Sequence, residues 1–145
     1  MSLDIANSNV NRNITLAGTS VAIFTFLLFF LYPRYFSGDI DPILFQFTLA
    51  IIVSVIFSLV FSATYYYGTT LTLSLPDGQG TVTFGKAEAF WLIGYSLLLL
   101  EPALILFTVK NLTIVALYAL VLWFSYLYLT WLQFKRLTKK MKITR

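Results

Sequence analysis

Neither cysteine nor histidine occurs anywhere in the 145 residues. Without cysteine there are no disulfides, no thiol redox chemistry, no thiolate metal sites and no thiol nucleophile. Without histidine, imidazole-held haem, copper or zinc is excluded, together with any Ser-His-Asp hydrolytic arrangement. Charge is the next scarcity: only 11% of residues are Asp, Glu, Lys or Arg, against roughly a quarter in an ordinary soluble domain. A water-facing surface cannot be assembled from so few charges. Phosphate-loop chemistry is missing too, because the glycine-rich stretch Asp77-Gly78-Gln79-Gly80 lacks the lysine and following helix of such a loop, and turn chemistry accounts for it.

What is present is apolar: 59% hydrophobic and 18% aromatic. This content supplies four bilayer-crossing segments of roughly 20 residues each with short connections, in one domain covering 1–145. The opening residues Met1 to Asn13 are Asn-rich, show no apolar periodicity and carry no basic leader pattern, so they read as a mobile tail. Span 1 is uncharged from about 16 to 32, with Pro33 and Arg34 marking its exit. Asp41-Pro42 is a helix-start signal, an acidic cap followed by proline in the first turn, and opens span 2 from about 42 to 67. Span 3 covers about 89–109 and span 4 about 112–134, joined by Lys110-Asn111 with Asn111 as the expected cap. Between spans 2 and 3, Leu71, Leu73 and Leu75 alternate with Thr70, Thr72 and Ser74. After Pro76 to Gly80, Thr81 to Phe84 alternate again, a period-two pattern that predicts a short β-hairpin at about 70–84. The expected fold is therefore an all-α membrane protein, a four-transmembrane-helix bundle with a β-hairpin between helices 2 and 3.

Charge placement gives this fold an orientation. Four spans put both termini and the connection between spans 2 and 3 on one side. That side holds Arg12, Lys86, Lys135, Arg136, Lys139, Lys140, Lys142 and Arg145, whereas Arg34 and Lys110 lie opposite. The positive-inside rule makes the first side cytoplasmic, in a cell membrane whose prokaryotic origin is a lean of composition only. Trp91, Tyr65 to Tyr67, Tyr126, Tyr128 and Trp131 form an aromatic belt toward it. Two glycosylation triplets, at Asn13 and Asn111, carry no weight in this topology.

Glu101 is the one acidic residue inside an expected span, about 16 Å from Phe90 and about 12 Å from Val109 at helical rise. An ionised acid near the midplane costs on the order of 3 kcal/mol, so the side chain is expected to face the protein interior and to be neutral unless water, a cation or a partner reaches it. It is a candidate proton or cation site, or alternatively a hydrogen-bonding anchor beside the helix kink expected at Pro102, which frees the Leu98 carbonyl. Ala50, Ser54, Ser58 and Ser62 place small side chains at every fourth position of span 2, and Gly18 with Ala22 repeats the spacing in span 1. Such a stripe lets helix backbones approach closely and reads as a packing seam. The run Lys135, Arg136, Lys139, Lys140, Lys142 and Arg145 suits anionic lipid headgroups, at about 1 kcal/mol per basic residue. Nucleic acid is not an expected partner.

These observations imply a non-catalytic protein without cofactor or metal, an accessory or scaffolding subunit acting by helix packing as a homo-oligomer or within a larger membrane complex. The alternative is an oligomeric proton- or cation-coupled transporter or channel that uses Glu101.

Overall fold

The computed structural model describes the backbone of residues 3–72 and 79–143, and side chains within 4–34, 38–71 and 84–132. Four long helices account for nearly all of it: α1 (Leu3–Phe26), α2 (Pro42–Thr72), α3 (Gln79–Thr108) and α4 (Thr113–Ile143). Four helical stretches are long and apolar enough to cross a membrane: Asp4–Arg34, which is α1 with the turns that follow it, Pro42–Leu71, Phe84–Thr108 and Thr113–Leu132.

The helices are longer than the apolar runs alone suggest, and two expectations are corrected by this. Residues from Leu3 to Asn13 are the first turns of α1 rather than an unstructured tail, and Ala6 and Asn13 on that segment are buried. The β-hairpin is also not formed. Residues up to Thr72 complete α2 and residues from Gln79 begin α3, so the described parts of the alternating segment are helical; residues 73–78 lie outside the described part. Among the described residues the only strand-like pairing is a single bridge elsewhere, Ile40 with Val109. A lone two-stranded hairpin has nothing to cover its apolar face. Extending two packed helices satisfies each backbone group locally, and it also sets Phe84 edge-on to Tyr66, with ring centres 5.6 Å apart.

Three of the helices share a core built on a seven-residue repeat. Along α1 and the π turn that follows it, Ala6, Asn13, Ser20 and Leu27 are buried at this spacing, with Ala17 beside them; along α3 the series is Ala87, Gly94, Glu101 and Thr108, with Ala103 beside them. Between them α2 presents two such series, Phe45, Ile52, Leu59 and Tyr66, and Thr48, Val55, Ser62 and Thr69. A repeat of seven keeps a helix in register with a neighbour through a gentle left-handed supercoil. Large side chains on α2 meet small ones on α1 and α3: a Cβ added at Gly94 would lie 3.0 Å from Leu59 Cγ. Helix α4 lies outside this core and makes its substantial contact with α3 alone. Trp123 Nε1 donates to the Ser96 carbonyl at 2.8 Å, and Tyr126 packs edge-on to Tyr95.

At one end of the molecule the loops between α1 and α2 and between α3 and α4 are tied together. Pro33 brings no N–H to the end of α1, and the helix widens into a π turn over Leu27–Leu31 and then narrows to a 3-10 turn over Tyr32–Ser37. Gly38 follows at φ 80°, a left-handed conformation that glycine adopts without a Cβ clash. Asp41 then caps α2 as expected, its Oδ1 accepting from the amides of Ile43 and Leu44 at 2.9 and 3.0 Å. The Asp41 amide donates to the Thr108 carbonyl, the Lys110 amide to the Asp39 carbonyl, and Lys110 Nζ to the Gly38 carbonyl. Asn111 does not cap α4. It occupies the left-handed region at φ 76°, turning the chain, and the Leu112 carbonyl accepts the first helical bond from Ala116.

Candidate functional site

The seven-residue series on α3 is made of small residues with one exception, Glu101. Its side chain is 1% exposed. Ser20, on the matching series of α1, places its hydroxyl 3.4 Å from Oε1 and donates to it. Oε2 is buried with no hydrogen-bond partner among the described residues. At helical rise Arg12 starts about 12 Å from Ser20 and Lys110 about 13 Å from Glu101, so neither cation is a neighbour of the carboxyl. Burial of a carboxyl oxygen with an unused lone pair costs free energy that a ligand or water would recover.

Beside the Ser20–Glu101 pair an open groove of about 610 Å³ runs between α1 and α3, lined by Thr19, Ala22, Ile23, Phe26, Leu27, Pro102, Ile105 and Leu106. Pro102 is exposed there while α3 continues through it as one α-helix. Among the described residues no group of three or more acidic, histidine or cysteine side chains could hold a metal ion.

A second polar layer crosses the core toward the N-terminal end of α1. Asn13 Nδ2 donates to Ser62 Oγ at 2.8 Å, and Ser62 in turn donates to the Ala87 carbonyl at 2.7 Å, so one chain of bonds joins α1, α2 and α3. Next to it the Arg12 guanidinium lies 4.4 Å from the centre of the Trp91 ring, and Tyr66 donates to Glu88. Cation and ring attract through the ring quadrupole. Glu88 belongs to the membrane-length part of α3, so Glu101 shares that helix with a second acid, one whose carboxyl accepts from a tyrosine hydroxyl.

The small residues of the α2 stripe are divided. Ser62 is buried in the polar layer, Ser58 is half-buried against Gly94, and Ala50 and Ser54 are exposed. Gly18 and Ala22 of α1 are exposed as well, with nothing within 4 Å of a Cβ added at Gly18. Inside this chain α1 meets α2 through Asn13, bonded to Ser62, and Ala17, packed with Val55 and Leu59, while Gly18 and Ala22 stay on the exposed side. The side chains of Lys135, Arg136, Lys139, Lys140 and Lys142 and the whole of Arg145 lie outside the described residues, although the backbone of α4 continues to Ile143.

No protein-family model, curated protein or solved structure matches this chain. The site therefore stands on its own chemistry. Sequence reasoning reached Glu101 but passed over Asn13, Ser20 and the Arg12–Trp91 contact. The signal that finds them is the spacing: Asn13 and Ser20 are seven residues apart, as are Gly94 and Glu101.

Proposed function

We propose that this multi-pass membrane protein is a non-catalytic accessory or scaffolding subunit that works by packing against other membrane helices. The observation that carries this reading is the state of α4. Only 6% of its apolar span is buried, against 17–28% for the other three, and among its described residues Ala116 alone is fully enclosed. Its outer face offers Tyr118, Val121, Leu122, Phe124 and Trp131, all more than half exposed. Ala50, Ser54, Gly18 and Ala22 add small-residue surface on α2 and α1 where a further helix backbone can approach closely. The excess of Lys and Arg toward both termini supports an orientation in a cell membrane with both ends on the cytoplasmic side, the basic end of the chain next to anionic headgroups.

The test is site-specific photocrosslinking in native membranes from Tyr118 and Val121 on α4, with Val53 on α2 as the comparison. A discrete protein adduct from the α4 positions, whether with a second copy or another chain, supports the reading. Lipid adducts alone at every position would refute it. A proton- or cation-coupled transport role is the second reading, and it rests on the unpartnered Oε2 of Glu101.

A further inference from the structure

Helices α1 and α3 each pack along α2 and approach one another less closely, so a furrow runs between them. At one end stands Arg12, the last charged residue before the uncharged run 13–32. That position sets it at the water boundary of the span, where a long basic side chain extends its charge into the headgroup layer. Arg12 is exposed, and its guanidinium lies over the Trp91 ring at 4.4 Å from the centre. Stacking uses the flat face of a guanidinium and leaves the N–H groups at its edge to bond in plane. Nε donates to Asn13 Oδ1 at 3.4 Å, and Glu88 accepts from Tyr66, so no ion pair neutralises Arg12 among the described residues.

From this pair the furrow continues over apolar side chains. Leu16, Trp91 and Leu98 are partly buried against Ala17, Val55 and Leu59, and the groove of about 610 Å³ follows, with Thr19, Ala22 and Phe26 on one wall and Pro102, Ile105 and Leu106 on the other. Two series at seven-residue spacing face each other along it: Arg12, Thr19 and Phe26 on α1, and Trp91, Leu98 and Ile105 on α3. Residues at that spacing share a helix face. At helical rise the groove lies about 10–21 Å beyond Arg12, and half of a bilayer of roughly 40–45 Å is about as deep.

The occupant must therefore carry its charge and its apolar body well apart. The lining asks for no polar group: its one hydroxyl, on Thr19, donates to the Thr15 carbonyl of its own helix. A free inorganic anion would meet one guanidinium and leave the groove empty. A helix, about 10–12 Å across with its side chains, is too thick for a furrow that an acyl chain fits. A zwitterionic headgroup brings a second cation toward Arg12; an anionic one does not.

We propose that the α1–α3 furrow binds one anionic phospholipid, its phosphodiester on Arg12 and an acyl chain in the groove. Helix α4, which carries the packing role, has no part in this site, so either stands if the other fails. Lys86 supplies a control. It also faces a ring, Tyr65 at 6.0 Å, but there Tyr65 and Phe61 both pack against Phe90 and fill the crevice between α2 and α3.

Trp123→Phe with Trp131→Phe leaves Trp91 as the single tryptophan, and its quenching by brominated acyl chains reports which lipid lies in the furrow. The full chain is reconstituted in mixed phosphatidylglycerol and phosphatidylcholine vesicles, with bromine on one lipid or the other. Brominated phosphatidylglycerol is expected to be preferred about fivefold. Arg12→Gln is expected to abolish the preference, Ala22→Phe, which fills the groove and spares the charge, to remove most of it, and Lys86→Gln to keep it. Should Arg12→Gln lose helicity, Ala22→Phe decides. Equal quenching by both lipids in the parent overturns the proposal, as does a preference that survives in folded Arg12→Gln or in Ala22→Phe. Loss of the preference in Lys86→Gln also overturns it, because general attraction to a basic surface would then be the cause.

Discussion

Asn13 of α1 and Ser62 of α2, 49 residues apart in sequence, meet at 2.8 Å in the buried core, and Ser62 passes the bond on to the backbone of α3. The order of donors makes the two residues unequal. Asn13→Ala removes one interhelical bond and leaves Ser62 satisfied by Ala87, at a cost of about 0.6–1.7 kcal/mol. Ser62→Ala strands the Asn13 amide and is expected to cost more, about 1–3 kcal/mol. Reversible unfolding in mixed SDS micelles, run as a double-mutant cycle, measures both. A coupling below about 0.5 kcal/mol would show that the bond contributes nothing of its own.

Gly94 and Gly85 lie nine residues apart on α3 and make a matched pair. Alanine at Gly94 is expected to destabilise by about 1–3 kcal/mol, because its methyl group meets Leu59 at 3.0 Å and Ser58 Cβ at 3.2 Å. Alanine at Gly85, where nothing lies within 4 Å, is expected to be neutral or to stabilise by up to about 1 kcal/mol through helix propensity. The same unfolding assay compares them, and equal effects would contradict the close approach of α2 and α3.

Trp123→Phe keeps an aromatic ring on α4 and deletes the 2.8 Å bond to the Ser96 carbonyl. The expected loss is about 0.5–1.5 kcal/mol. Because α4 has so few other buried contacts, the loss is expected to appear as faster hydrogen exchange in α4 while α2 keeps its protection. A uniform change across all four helices would show instead that α4 unfolds only with the rest.

The cysteine-free background makes sidedness simple to read. With single cysteines introduced as Asn111→Cys and Thr138→Cys, a membrane-impermeant maleimide is expected to label the first in intact cells and the second only after lysis. The reverse pattern would invert the proposed orientation.

How much of this was legible beforehand depended on whether a residue's role left a chemical trace. Asp41-Pro42 announced its helix because capping is a local event between neighbouring residues. Glu101 announced its burial because an acid in an apolar run has few other places to go. The core seam was harder. In α2 the buried Ile52, Val55 and Leu59 differ little in polarity from the exposed Val53, Phe57 and Val60, since lipid outside the protein is as apolar as the core within it. Hydrophobic periodicity therefore cannot separate inside from outside, and the four-residue stripe of Ala50 and Ser54 drew attention to an exposed face. Asn13 was missed for the opposite reason: among other asparagines it resembles solvated chain until Ser62 is brought beside it. The alternation of Leu71 and Thr72 with their neighbours was a true local pattern overridden by what the helices gained from continuing.

The tie between the two loops is made mostly of peptide groups, with Asp41, Thr108, Asp39 and Lys110 contributing amides and carbonyls. Such a fastening does not depend on which side chains are attached to it. Alanine scanning through Asp39, Thr108 and Val109 would pass over it in silence, while a proline at position 110, which deletes the amide donor as well as the Nζ donor that Lys110→Ala removes by itself, would expose it. The two helical hairpins of this protein are thus joined by a contact that selection on residue identity can scarcely see, and that leaves no motif behind.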